Sequence, residues 1–158
     1  MDMDIDFNWL EEKIFSRILT DAERTALKST MTVEQFTKGD VVILQQETGG
    51  KLYLLKSGRV DVILRFNGES LKLTNKGEGA QLGNMSFIDN SEACASIIAH
   101  EDCLAYRITR DDLSQLFTFH QNVAKDIMFS IIKDMSGNLR HMNDANAVSL
   151  QYIQGRRV

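Results

Sequence analysis

Apolar residues recur at helical spacing near the start of the chain. Between residues 8 and 30 they are Leu10, Ile14, Phe15, Ile18, Leu19 and Leu27. Thr20 and Asp21, followed by Glu23, are typical of a helix start. The pattern therefore predicts two short N-terminal helices, with a break near Thr20.

From Val33 to Thr109 the pattern changes to short β-type runs separated by glycines. The runs are "VEQFTKGDVVIL", "GGKLYLLKSGRVDVILRF", "ESLKLTNKGEG", "CASIIA" and "LAYRIT". Several short strands at this spacing predict a small barrel, sandwich or roll. The glycines between the runs are expected at positive φ or close backbone approaches: Gly39, Gly50, Gly58, Gly79 and Gly83.

After Thr109 the helical period returns, with Asp111 and Asp112 placed where a helix dipole favours negative charge. A longer helix follows, with a narrow apolar stripe: Val123, Ile127, Ile131, Met135, Leu139 and Met142. Gly137 weakens this helix by about 1 kcal/mol relative to alanine, so packing must stabilise it. The stripe either folds back on its own β-roll or meets a second copy, and we predict that its six residues form a homodimer interface.

The fold class predicted from these elements is α+β: an antiparallel, jelly-roll-like β-roll between short N-terminal helices and a long C-terminal helix. The predicted divisions are a roll domain over residues 1–120, a dimerisation helix over 121–146 and a tail over 147–158. The tail "SLQYIQGRRV" leaves no room for a recognition helix, and Arg156 and Arg157 are interpreted as a basic tail. We therefore expect no helix-turn-helix domain and no direct DNA binding.

Composition narrows the classes of function. With 158 residues, 43% of them hydrophobic and 25% charged, the chain has the make-up of one globular domain. Its 18 Lys and Arg against 22 Asp and Glu give a net charge of -4, which argues against a nucleic acid as the main partner. The acidic N-terminus has no secretory signal pattern and no window is apolar enough to span a membrane, so a cytoplasmic location is expected.

Reactive residues are few. Cys94 and Cys103 lie in apolar strand-like sequence and are expected to be reduced core thiols. His100, His120 and His141 share no metal-ligand spacing with them, and two cysteines are too few for an iron–sulfur cluster. No nucleophile motif, P-loop or paired-carboxylate arrangement is present, so no catalytic residue and no metal site are assigned and a non-enzymatic protein is predicted.

Two segments carry a resemblance to a known family. The pattern of "FTKGDVVILQQETGGKLYLLKSGRVDV", residues 36–62, and of "GAQLGNMSFIDNSEACASIIAHEDCLAYRITRDDLSQLF" resembles the cyclic nucleotide-binding domains of the catabolite-activator (FNR-like) and protein-kinase-A regulatory type. The resemblance covers about residues 10–145. It implies a ligand pocket at the phosphate-binding cassette, here Leu82, Gly83, Asn84, Met85, Ser86, Ala93, Cys94 and Ser96.

The cassette departs from the family pattern at both charged ligands. Asn84 replaces the Glu that binds the ribose hydroxyl, and Ala93 falls on the Arg that pairs with the cyclic phosphate. No Lys or Arg occurs from Gly77 to Tyr106. At about 1.5 to 3 kcal/mol for each charge-assisted bond, these losses weaken binding roughly a hundred- to ten-thousand-fold. We expect no conventional cyclic nucleotide cofactor.

The leading hypothesis is a regulatory or adaptor module that forms a homodimer and binds a protein partner. The alternative is a sensor whose pocket has been rebuilt for a non-standard ligand, such as a cyclic dinucleotide or an uncharged metabolite. An open pocket favours the sensor, and a pocket filled by Met85, Phe87, Cys94 and Ile97 favours the adaptor. A third idea is half of a transcription factor that acts with a separate DNA-binding chain.

Overall fold

A computed structural model describes residues 4–155 of the chain. The helices are α1 (Phe7–Leu10), which continues into a π-helical turn (Glu11–Phe15), α2 (Asp21–Thr30), α3 (Asn84–Asp89), α4 (Arg110–Phe119) and α5 (Gln121–Gly155). The strands are β1 (Thr32–Phe36), β2 (Val41–Ile43), β3 (Lys51–Ser57), β4 (Val60–Phe66), β5 (Glu69–Lys76), β6 (Gln81–Leu82), β7 (Ser96–Ala99) and β8 (Cys103–Thr109).

The strands form two four-stranded sheets with the orders β1-β8-β3-β6 and β2-β7-β4-β5. Their pairings are antiparallel; for example, Val33 lies opposite Tyr106, and Val60 lies opposite Lys76. This arrangement confirms the predicted antiparallel roll with N-terminal helices and a long C-terminal helix.

Side-chain caps fix two helix starts. Thr20 and Glu23 form a capping box at α2, and Thr109 and Asp112 form the equivalent box at α4. Each box satisfies backbone N–H groups that a helix leaves without an internal partner. The helix starts read from "TDAE" and "TRDD" therefore have a direct structural cause.

The first sheet lies between the helices and the second sheet. Alternate residues of β3 point to opposite faces: Leu52 and Leu54 join the helices, whereas Tyr53 and Leu55 face the second sheet. The core is consequently divided into two clusters of buried residues, and one of them is shared by the helices with the roll.

The first half of α5 belongs to the core of its own subunit. Val123, Ile127 and Ile131 are at most 2% exposed and pack with α1, α2, α4 and the first sheet. The prediction that they form a dimer interface is wrong, because the other helices and the first sheet already cover this part of the stripe. Met135 is half-buried, while Leu139 and Met142 are exposed.

Helix α5 also continues past the predicted end at residue 146 and reaches Gly155. Within the described part of the chain, the residues after Gly137 are exposed on all sides of the helix. The predicted basic tail residues Arg156 and Arg157 lie outside the described residues.

The two cysteines differ. Cys103 is buried, and burial raises the pKa of its thiol, as expected for a core cysteine. Cys94 is exposed, so its prediction as a core thiol is wrong. It precedes β7 in a segment that is not paired in a strand. Among residues 4–155, no helix is long and apolar enough to cross a membrane.

Candidate functional site in the β-roll

A cavity of about 210 Å³ opens between the cassette, the segment before β7 and helix α5. It is lined by most of the residues assigned to the pocket from sequence: Leu82, Gly83, Asn84, Met85, Ser86, Ala93 and Cys94. Met85 is 55% exposed rather than folded inward. The pocket is therefore open and is not filled by its own side chains.

Gly83 shapes the entrance to α3. Its φ is +77°, and a Cβ there would lie 2.6 Å from the carbonyl oxygen of Lys51. Only glycine tolerates both the left-handed backbone and this approach to β3. The turn places the first residue of α3, Asn84, on the cavity wall.

Arg110, at the start of α4, holds helix α3 in place through hydrogen bonds. The Arg110 guanidinium donates hydrogen bonds to the carbonyl oxygens of Phe87 and Ile88, the latter at 2.9 Å. Phe87 itself is 1% exposed and packs in the core. The cavity wall formed by α3 is thus held in place by both apolar packing and a charged donor.

Ser96 does not belong to the site. It begins β7 opposite Ile63, on the outer face of the second sheet, and its hydroxyl accepts a hydrogen bond from the Gln45 backbone N–H at 2.9 Å. The prediction that it lines the pocket is wrong because consecutive strand residues alternate faces, and Ile97 is the residue that faces the cavity.

The electrostatics differ from those expected. Lys76 lines the cavity, although the sequence from Gly77 to Tyr106 lacks cations. Lys76 ends β5 opposite the buried Val60, and residues paired across two strands lie on the same face of the sheet. The pairing of β4 with β5 would therefore have identified Lys76 as an inward-facing residue. Glu92 also lines the cavity, and Ala93 occupies its wall where the family pattern has Arg. The charged residues that line the cavity are therefore one carboxylate and one lysine.

Helix α5 closes one side of the site through hydrogen bonds to the cassette. The Asn84 side-chain amide donates to Asp134 Oδ2 at 2.7 Å, and Asn138 Nδ2 donates to the same oxygen at 3.2 Å. Asn138 also lines the cavity. The sequence analysis missed Asp134 and Asn138, because the spacing of residues along a helix does not indicate which polar side chain contacts a distant loop.

These contacts belong to a row of polar residues spaced by four along α5: Asp126, Ser130, Asp134 and Asn138. Asp126 is ion-paired with Arg17 at 2.7 Å, and Ser130 accepts a hydrogen bond from Gln81. Arg17 also pairs with Glu23, and this contact lowers the pKa of the Glu23 carboxyl to about 2. The row thus ties α5 to the N-terminal helices, to β6 and to the cassette.

The family follows from comparison with known proteins. The family model "Cyclic nucleotide-binding domain" matches residues 33–120. This match covers more than half of the 158 residues, and the chain belongs to that family.

The sequence identities to individual members of known function or structure are low. The chain is 33% identical over 95 residues to a cAMP-dependent protein kinase regulatory subunit of Hypocrea atroviridis; the match covers 60% of this chain and 20% of that protein. The structure resembles a cyclic nucleotide-binding domain from Methylobacillus flagellatus, with a TM-score of 0.77, 22% identity and coverage of 88% and 81% of the two chains. It also resembles a c-di-GMP responsive global regulator from Xanthomonas campestris, with a TM-score of 0.68, 21% identity and coverage of 78% and 61%. The matched part of the chain spans about a fifth of the length of that regulatory subunit.

Proposed function

We propose that this domain is a non-enzymatic regulatory module that senses a small ligand in the roll cavity and transmits its presence through helix α5. The observation that carries the proposal is the bond between Asn84 and Asp134, because it links the cavity wall directly to the helix. The cavity is open, which was the feature expected to favour a sensor over a purely structural adaptor.

The ligand proposed is not a conventional cyclic nucleotide. Lys76 is the one cation that lines the cavity among the described residues, and Glu92 opposes it there. A cyclic phosphate would meet Ala93 instead of a guanidinium, without the charge-assisted bond that such a pair provides. An uncharged or weakly anionic ligand fits this balance better.

The cavity volume also limits the ligand. At about 210 Å³ it is smaller than the roughly 300 to 1,000 Å³ of sites that enclose drug-sized molecules. It would therefore enclose a small metabolite, or one part of a larger molecule such as a cyclic dinucleotide. The Xanthomonas campestris regulator of similar fold is itself c-di-GMP responsive.

Transmission would follow from competition for Asn84. A ligand that accepts a hydrogen bond from the Asn84 amide removes that amide from Asp134, so the carboxylate on α5 loses its partner in the cassette. A ligand shifts such an equilibrium only by its difference in affinity for the two states. In this proposal the hydrogen bonds of the polar row on α5 are the contacts exchanged with water or ligand, whereas the apolar packing of Ile127 and Ile131 stays in place.

The output end of α5 is proposed to bind a second copy of the chain. From Ile132 onward, one face repeats alternately at three and four residues: Ile132, Met135, Leu139, Met142, Asn146, Ser149 and Ile153. This is the spacing of a two-stranded coiled coil, in which a single Asn at a seam position specifies register. Leu139 and Met142, both predicted from sequence as interface residues, are 58% and 61% exposed in one subunit.

Native mass spectrometry tests ligand and assembly together. The purified chain is measured alone and with cyclic AMP, cyclic GMP or cyclic di-GMP, beside a variant that restores the family's ligands, Ala93→Arg with Asn84→Glu. We expect a dimer, with cyclic AMP bound a hundred- to ten-thousand-fold more tightly by the variant than by the wild type. Tight cyclic AMP binding by the wild type would refute the rebuilt pocket, and a monomer would refute the seam.

A protein-binding adaptor is the second candidate, and the exposed apolar end of α5 is the observation that favours it. In that case the partner would be another protein helix seated on Leu139 and Met142. A monomer of the purified chain in the same spectra would favour this arrangement over a homodimer.

A further inference from the structure

A second cavity lies on the other side of Gln81 from the roll cavity. It is a groove of about 530 Å³ between the π-helical turn and helix α5. Gln81 and Asn138 line both spaces. The family's cassette residues from Leu82 to Ser86 do not line the groove, so it is a separate site.

The floor of the groove contains a buried amide that is bonded at one end only. Gln81 is 5% exposed; its Nε2 donates to Ser130 Oγ, and its Oε1 has no hydrogen-bond partner within residues 4–155. Ser130 lines the groove and not the roll cavity, so the Nε2 end of the amide lies on the groove side. A buried acceptor without a donor is costly, and a donor brought by a ligand would satisfy it.

Gln81 differs from the other buried polar atoms without a hydrogen bond in the described residues. These are Asp61 Oδ1 and Arg107 Nε, and each faces an opposite charge, at 2.7 Å from Lys72 and 2.9 Å from Glu34. No such charge is recorded for Gln81 Oε1. Of these three atoms, Gln81 Oε1 is therefore the one without a polar partner among the described residues.

The wall opposite the π-helical turn is a second row spaced by four along α5: Phe129, Lys133, Gly137 and His141. Phe129 presents an aromatic ring that is 63% exposed. Gly137 has no atom within 4 Å of the position a Cβ would take, so the groove is open at that turn. An aromatic face and a buried acceptor that line one groove suit a planar ring that carries a donor.

The charges that line the groove are balanced. Lys13 is paired with Glu12 at 2.9 Å, and Asp126 is paired with Arg17 at 2.7 Å. Lys133 and Asp134, the two remaining charges, are opposite in sign and adjacent on α5. A balanced lining gives no net attraction for a phosphate or a carboxylate and favours an uncharged ligand.

We propose that this groove binds a small, uncharged heteroaromatic molecule of the nucleobase or carboxamide type. Its ring lies against Phe129, and its N–H donor bonds to Gln81 Oε1. The groove remains accessible in the proposed dimer. Phe129, Lys133 and Gly137 are not among the seam residues, which begin at Ile132 and are spaced alternately by three and four.

Adenosine, cytidine and nicotinamide are suitable probes, since each has an N–H donor on a planar ring. Purine riboside, which is adenosine without its amino group, is the matched control. Binding is measured on the full chain by NMR, with the backbone amide signal of Gly137, which lines the groove and is kept in every variant, as the readout. We expect at least one probe to shift that signal, and adenosine to bind about tenfold more tightly than purine riboside if adenosine is that probe.

Variants then locate the probe that binds. Phe129→Ala should weaken it about tenfold, whereas Phe119→Ala, which removes another exposed ring at the end of α4, should leave it unchanged. Gln81→Leu should weaken binding, and Gln81→Glu, which keeps an acceptor oxygen, should preserve it. The proposal is overturned if no probe binds at millimolar concentration, if purine riboside binds as well as adenosine, or if Phe129→Ala and Phe119→Ala behave alike.

Discussion

Replacing Ile131 with alanine tests whether this part of α5 serves its own subunit or a dimer. Ile131 is 0% exposed and packs in the core that the helices share with the first sheet. Large-to-small changes at such sites cost about 2 to 5 kcal/mol, because apolar contacts are lost and a cavity remains. That is a large share of the roughly 5 to 15 kcal/mol that stabilises a typical domain.

Leu139→Ala is the matched perturbation about two helical turns further along α5. Leu139 is 58% exposed in one subunit, so its truncation should change the stability of a monomer by less than about 0.5 kcal/mol. In the proposed coiled coil it would instead remove one seam contact and weaken association between subunits.

Urea unfolding at two protein concentrations, with sedimentation to measure association, separates the two effects. With a slope of about 2 kcal/mol per M, Ile131→Ala should lower the unfolding midpoint by at least about 1 M at both concentrations. Leu139→Ala should act on the dimer dissociation constant alone. If Ile131→Ala dissociates the dimer while subunit stability is unchanged, the assignment of Ile131 to the core is refuted.

Three further predictions follow from single contacts. Gly83→Ala should lower the melting temperature more than Gly68→Ala, because both residues have positive φ but only Gly83 meets a carbonyl oxygen, at 2.6 Å; equal losses would contradict the close approach. The folded pKa of Glu23 is about 2, below its ordinary 4.5, so its stabilisation is complete above about pH 4.5 and is lost as the pH falls toward 2. Glu23→Gln should flatten the stability profile in that window, and an unchanged acid limb measured by circular dichroism would exclude the contribution. Cys94 is exposed and Cys103 is buried with a raised pKa, so one thiol per folded chain should react quickly with Ellman's reagent, and Cys94→Ser should abolish that fast phase.

Much of the fold could be predicted from local sequence because each element carries its own signal. The capping residues Thr20 and Thr109 mark helix starts, and the glycine-separated β runs mark a roll of short strands. The stripe on α5 carries less information, since an apolar face looks the same whether it is covered by a sheet or by a second helix. Ile131 is covered by other elements of the chain whereas Leu139 is not, and that coverage is a tertiary property.

The candidate site also combines features that have a local sequence signal with features that depend on tertiary structure. Leu82 to Ser86, assigned from the cassette pattern, line a cavity, but the pattern misplaced Ser96 by one strand position and missed Lys76. Both differences come from strand register, which alternation alone leaves open by one residue. The hydrogen bond between Asn84 and Asp134 joins residues 50 positions apart and has no local sequence signal.

Hydrogen–deuterium exchange along α5 in the wild type and in Asn84→Ala tests most directly whether the cavity is coupled to the helix. Asn75→Ala, on a strand residue that is exposed to solvent, is the control. If the Asn84 amide secures α5 through Asp134, backbone exchange around residues 132–142 should be faster in Asn84→Ala and unchanged in Asn75→Ala. The same exchange in all three proteins would contradict the coupling and, with it, the proposed route from ligand to helix.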